Sequence, residues 1–202
     1  MEFVLSAVIS YLLGSISFSY LIAKKIAGID IRSHGSGNAG ATNTLRVLGK
    51  GPAILVLLLD AIKGMAAVAI AWWITGGDNV VGAIAGIFAI IGHNWPVFFQ
   101  FRGGKGIATT VGVSLFISPL AFFISVTLCV IVIAATRYVS LGSLVFVTVF
   151  PITLYMATQN LFLVLVVLII TLFGYLRHYA NIRNLLVGKE RKIGEKAPKD
   201  LK

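Results

Sequence analysis

One cysteine, Cys129, stands among 202 residues, so no internal disulfide can form and packing must hold the fold. It lies in an apolar run with no neighbouring base, which makes it a small hydrophobe rather than a nucleophile. Charge is scarce: Asp, Glu, Lys and Arg together are 12% of the chain, against 58% hydrophobic residues. With a mean hydropathy of +0.96, that composition excludes a soluble domain and places the chain among integral membrane proteins. Acidic side chains are the scarcer kind, 7 against 17 basic ones, for a net charge of +10. The bases occur in short runs between long apolar segments, which fits anionic lipid headgroups and the positive-inside rule and argues against nucleic acid as partner. Only His34, His93 and His178 could supply imidazole, none at ligand spacing from another, so neither a metal nor a cofactor is expected.

What is abundant is apolar sequence in lengths that suit a bilayer. Residues 3–23 are long enough, at about 1.5 Å per residue, to cross roughly 30 Å of hydrocarbon. Glu2 precedes them and Lys24 and Lys25 follow, which predicts a first span with its N-terminus outside, not a cleaved signal. A second span is predicted from Gly51-Pro52 to Ile74, with Asp60 and Lys63 paired at i and i+3 inside it. Gly76-Gly77-Asp78-Asn79 reads as an outer turn, after which a third span begins at Val80. Residues 107–136 are too many for one span and too few for two full ones, and Ser118-Pro119 divides them into two short helices. A sixth span runs from Leu141 to Ala157, where Pro151 could break it, and a seventh from Leu161 to Leu176. Residues 177–192 read as a basic interfacial segment and 193–202 as a frayed tail. The expected fold is an all-α integral membrane protein of seven transmembrane helices, N-terminus outside and C-terminus cytoplasmic, with residues 1–202 forming a single polytopic domain. Seven spans, unlike six, leave every lysine and arginine outside the spans on the cytoplasmic side.

Three polar islands interrupt this apolar chain, at 32–46, 92–106 and 177–190. The first, RSHGSGNAGATNTLR, combines glycines with the neutral groups Ser36, Asn38, Thr42, Asn43 and Thr44 and the anion donors Arg32, His34 and Arg46. In the second, Arg102-Gly103-Gly104-Lys105-Gly106 leads into IATTVGV, a glycine turn opening onto a helix N-terminus, which is the physics of an anion site. Gly35-Ser36-Gly37-Asn38-Ala39-Gly40 satisfies G-x-G-x-x-G, but it follows a membrane helix and Asp60 falls inside the next span, so a dinucleotide site fails on context. All three islands fall on the predicted cytoplasmic face. That favours one composite phosphate site over a carrier, whose polar groups would gather near the midplane. The histidine–aspartate dyad of soluble and monotopic glycerolipid acyltransferases is absent, since the positions five residues after the histidines hold Ala39, Phe98 and Arg183.

The segments SHGSGNAGATNTLR, GHNWPVFFQFRGGKGIATT and RHYANIRNLLVGKERK resemble, in order, the three motifs of the bacterial acyl-phosphate:glycerol-3-phosphate acyltransferases, the PlsY family. The resemblance implies transfer of a fatty acyl group from acyl phosphate to the sn-1 hydroxyl of glycerol 3-phosphate. The products would be lysophosphatidic acid and inorganic phosphate, the first acylation of phospholipid synthesis, at the cytoplasmic side of a bacterial inner membrane. It further implies that Ser36, Arg46, Lys105, His178 and Asn181 are catalytic, and that Asn38, Gly40, Thr42, Asn43, Gly103, Gly104, Gly106 and, more weakly, Ser143 bind substrate. Glu190 is implied to be structural. The partners implied are the two phosphorylated substrates and membrane lipids, with no obligatory protein partner. With donors in excess of bases, the donor's own phosphate is expected to take the proton of the attacking hydroxyl, and acylation of Ser36 is the rival mechanism. A phosphate or organophosphate transporter is the competing reading from another class, and a purely structural membrane protein would leave the islands without a purpose.

Overall fold

In lipid an apolar chain satisfies its backbone polar groups by coiling, and the computed structural model, which describes residues 1–195, contains helices and no strand among them. The helices are α1 (Glu2–Gly14), α2 (Phe18–Ala27), α3 (Ala41–Leu48), α4 (Lys50–Ile74), α5 (Asn79–Asn94), α6 (Ile107–Ile117), α7 (Pro119–Thr136), α8 (Val139–Thr158), α9 (Leu161–Arg177) and α10 (Tyr179–Leu186). Taking α1 and α2 as one piece, 5 are long and apolar enough to cross a membrane, or 6 if α9 and α10, bent by 59°, form one span. Ser118 and Pro119 do divide residues 107–136: the Ser118 hydroxyl accepts from Ala121 N at 3.4 Å, and Pro119 needs no N–H at the first helical position. The resulting α6 is apolar but, at 11 residues, short of a full span.

Two expectations about helix breaks are corrected. Residues 3–23 are not one continuous helix; the chain unwinds at Ser15–Ser17. The Ile16 carbonyl exposed by that break accepts from Lys63 Nζ at 2.6 Å, and Lys63 in turn lies 2.8 Å from Asp60. The pair anticipated from i, i+3 spacing therefore also repairs a broken helix in an apolar setting, where an unmet carbonyl is costly. Pro151, conversely, does not break α8. Proline removes the amide that would reach the Val147 carbonyl, and Thr171 Oγ1 of α9 donates to that oxygen instead, at 2.7 Å.

α5 is the most enclosed of the long helices and α7 the least. Its stripe of Gly82, Ala83, Ala85, Gly86, Ala89 and Gly92 is buried and lets neighbouring backbones approach closely. Val68 of α4, Ala83, Ile87 and Ile90 of α5, Val113 of α6, Phe150 of α8 and Val167 of α9 form the main core. The outer faces carry exposed Leu55, Leu58, Phe123, Ile131 and Leu165, as a lipid-facing surface requires. The expected frayed tail is corrected at its first residue: Ile193 N donates to the Arg137 carbonyl at 2.8 Å and Arg137 Nη2 donates back to Ile193 O at 2.9 Å. The rest of that segment, 196–202, lies outside the described residues.

Candidate active site

The first island is a loop shaped from within. Gly35 and Gly37 sit at φ of 65° and 72°, a left-handed backbone that only glycine takes freely, and they flank Ser36 so that its hydroxyl is held out and exposed. Asn43, buried in α3, pins the loop: its Oδ1 accepts from Ser36 N at 2.8 Å, and its Nδ2 donates to His34 O and Ile31 O. The side chain expected to bind substrate is thus committed to the loop, and Asn43 shapes the site rather than facing it. His34 likewise turns Nδ1 to the Asp30 carbonyl at 2.9 Å. Arg32 grips both carboxylate oxygens of Asp30, stacks 5.0 Å over Tyr20 and donates to Phe99 O at 2.8 Å. Its guanidinium holds the Asp30 carboxyl below the usual carboxylate range and fastens the first island to the second. Asn38 and Thr42 are half-buried with side chains unengaged among the described residues, and Gly40 stands, extended, just before α3.

The second island folds back under the first. Gly104 N donates to His93 O at 3.1 Å, which closes the turn, and Gly106, at φ 83°, caps α6 so that the helix's leading amides face the turn. Gly104 is where all three islands meet. A Cβ there would lie 2.6 Å from the Ala39 carbonyl of the first island and 2.1 Å from His93 Nε2 of the second. From the third, Arg177 Nη2 and Nε donate to the Gly104 carbonyl at 2.7 and 3.1 Å, while its guanidinium lies 5.4 Å over Trp95. Gly103 is equally enclosed, with His93 O 2.0 Å from where its Cβ would be.

Lys105 projects from this turn to Asn181 of α10, whose Oδ1 accepts from Nζ. Asn181 Nδ2 donates to Glu190 Oε1 at 2.6 Å, and Ser140 Oγ donates to the same oxygen at 2.7 Å. Glu190 can only accept, so it fixes which way the Asn181 amide points and leaves Oδ1 for the ammonium. The serine that α8 contributes is therefore Ser140, one turn before the expected Ser143, which is buried and donates to its own helix at Val139 O. His178 is buried at the α9–α10 bend, with Nδ1 donating to Gly174 O at 2.8 Å; a carbonyl only accepts, so Nε2 is left as an acceptor. Arg46, half-buried in the last turn of α3, makes no hydrogen bond or ion pair among the described residues. Burial lowers its pKa, Arg191 adds to the fall, and Glu190 and Glu195 oppose it. Burial pulls Lys105 down to about 8; Glu190 opposes the fall, and Arg46 and Arg177 deepen it.

The arrangement is a cluster of cations with a glycine turn, an unengaged serine hydroxyl and the imidazole acceptor of His178. It can bind dense negative charge, as on two phosphates. No group of three or more His, Cys, Asp or Glu among the described residues could hold a metal ion. Two participants had no distinct sequence signal: Arg177 reads as one more base of the third segment, and Ser140 as an ordinary helical serine.

Comparison with known proteins agrees in kind. A family model described as glycerol-3-phosphate acyltransferase matches residues 4–188. The chain is 53% identical to a glycerol-3-phosphate acyltransferase of Halalkalibacterium halodurans over 195 residues, 93% of each chain. It is 45% identical to one of Clostridioides difficile over 199 residues, 96% of this chain and 97% of the other. Among solved structures it is similar to PlsY, described as an integral membrane glycerol 3-phosphate acyltransferase, in its glycerol 3-phosphate form: TM-score 0.90, 38% identity, 96% of each chain covered. The lysophosphatidic acid form of the same protein aligns with a TM-score of 0.87 at 36% identity, again over 96% of each chain.

Proposed function

This chain belongs to the glycerol-3-phosphate acyltransferase family, the PlsY family, and we propose that it takes its acyl group from acyl phosphate and delivers it to the sn-1 hydroxyl of glycerol 3-phosphate. The products are lysophosphatidic acid and inorganic phosphate. The observation that carries this reading is the convergence at Gly104 of a glycine turn, a helix N-terminus and basic side chains from three distant segments. Such a cluster suits a reaction with a phosphate on both reactants.

In this reading the chain crosses a bacterial inner membrane seven times, α6 serving as a short span, with the N-terminus outside and the C-terminus and site in the cytoplasm. The distribution of lysine and arginine supports that orientation. Gly103 and Gly106 present backbone amides to the donor phosphate, Gly104 holds the turn in shape through His93 O, and Lys105 and Arg46 supply countercharge to the two phosphates. The glycerol oxygen attacks the acyl carbonyl carbon, the carbon–oxygen bond to phosphate breaks, and the hydroxyl proton passes to the departing phosphate. Acyl phosphate is already activated, so positioning and charge stabilisation are the work left to the protein. Ser36 and the Nε2 acceptor of His178 orient the hydroxyl. His178→Ala that kept both substrates bound yet lost turnover by many orders would instead make His178 the base, and an acyl group trapped on Ser36 would make the serine a nucleophile.

The direct test supplies purified protein with acyl phosphate and glycerol 3-phosphate and measures released phosphate and lysophosphatidic acid. Release dependent on both substrates is expected. No release, together with uptake of glycerol 3-phosphate into liposomes, would make the chain a carrier. A pH profile adds a second check. Lys105 carries its charge below about pH 8 and loses it above, so kcat/KM should fall as pH rises through 8, well before an ordinary lysine would titrate. Lys105→Arg, which stays charged, should remove that fall from whatever activity it retains; a fall that persists unchanged assigns it to another group.

A further inference from the structure

Below the glycine turn lies a buried polar group that the reaction itself does not use. Asp60 of α4 is 1% exposed in a largely apolar helix, and one of its oxygens faces two partners. Lys63 Nζ stands 2.8 Å from Oδ1 and His93 Nδ1 3.5 Å from the same atom. Neither Asp60 oxygen has a hydrogen-bond partner among the described residues, so both contacts are those of charged groups held close. Lys63 has a structural task of its own at the Ile16 carbonyl, so an ion pair alone would account for Asp60 and Lys63. It does not account for His93, whose ring bridges from the carboxylate to the site. Nδ1 faces the carboxylate and Nε2 is directed the other way, onto Gly104. The same residue's carbonyl accepts from Gly104 N at 3.1 Å and lies 2.0 Å from where a Gly103 side chain would begin. Both faces of His93, backbone and ring, thus form the seat of the turn.

We infer that Asp60 and His93 are positioning residues for the Gly103–Gly104 turn: the carboxylate sets the imidazole's orientation and the imidazole sets the height of the turn. Neither touches substrate. The inference rests on the reading of this turn as the holder of the donor phosphate. It separates from mere structural filling because the first island, which supplies the exposed Ser36 hydroxyl, is pinned independently by Asn43 and Arg32. Displacing the seat should therefore harm the donor and spare the acceptor.

The test measures both Michaelis constants and thermal stability for wild type, His93→Gln, Asp60→Asn and the double variant in detergent. His93→Gln should raise KM for acyl phosphate about tenfold or more, since displacements near 1 Å cost rates of that order, and leave KM for glycerol 3-phosphate within about twofold. Asp60→Asn should shift the same constant less, and the double variant no further than His93→Gln, because Asp60 acts through His93. Equal changes in both constants, no change in either, or additive effects of the two substitutions would overturn the inference while leaving the functional reading intact. Loss of donor affinity that merely tracks a lower melting temperature would overturn it too. If His93→Gln does not fold, Asp60→Asn alone decides by the same split. Wild type that releases no phosphate from acyl phosphate would remove the functional reading, and the inference with it.

Discussion

Arg46→Ala should lower kcat/KM by roughly 10²- to 10³-fold while leaving thermal stability unchanged or slightly improved. Arg32 and Arg177 are also cations of this end of the molecule, but each is occupied: Arg32 holds Asp30 and Phe99 O, and Arg177 holds Gly104 O. Arg46 is half-buried, with no hydrogen bond or ion pair among the described residues and with Arg191 close enough to disfavour its charge. A buried cation without a partner costs the fold and gains only when an anion arrives. Removing it takes away a ligand for phosphate and nothing the helices need. The two Michaelis constants of the variant identify which phosphate Arg46 serves, since that constant should rise far more than the other. Activity within about threefold of wild type would show that Lys105 and the turn suffice.

That division between occupied and unoccupied cations could not be read from the chain. The sequence displays Arg32, Arg46 and Arg177 as equivalent bases in polar islands, and their partners are 2, 67 and 73 residues away or absent. What was legible had a local cause. Ser118-Pro119 stops one helix and starts another through a cap and a missing amide, and Asp60 and Lys63 meet because i, i+3 spacing puts them on one face. The break at Ser15–Ser17 was not legible because its stabilising contact, Lys63 on Ile16 O, comes from 47 residues on. Pro151 misled for the same reason: the local rule says break, and Thr171, on another helix, annuls it. The site divides likewise. Glycines, cations and their resemblance to known motifs made Ser36, Arg46, Lys105, His178 and Asn181 the candidates, whereas Glu190's hold on the Asn181 amide and the bond it accepts from Ser140 rather than Ser143 follow from how α8 and α10 meet.

Gly104→Ala should be among the most damaging single-methyl changes at this site, cutting kcat/KM about 100-fold or more. Conformation is not the obstacle, for Gly104 is not among the residues with positive φ. Space is. The added carbon would lie 2.1 Å from His93 Nε2 and 2.6 Å from Ala39 O, and neither can retreat easily: the imidazole is buried beside Asp60, and Ala39 is backbone pinned just before α3. The turn must therefore rise by about an ångström, which pulls Gly104 N from His93 O and Gly104 O from Arg177, and carries Lys105 away from Asn181. Backbone donors, a guanidinium and an ammonium all lose their aim together, while the core around Val68, Ile90 and Phe150 is untouched. Melting temperature should accordingly drop little beside the loss of activity. Gly51→Ala is the matched control, since a Cβ there meets nothing within 4 Å, and it should keep activity within about twofold. A Gly104→Ala enzyme with near-normal kcat/KM would mean that the turn can move without loss, and the composite phosphate site would have to be drawn without it.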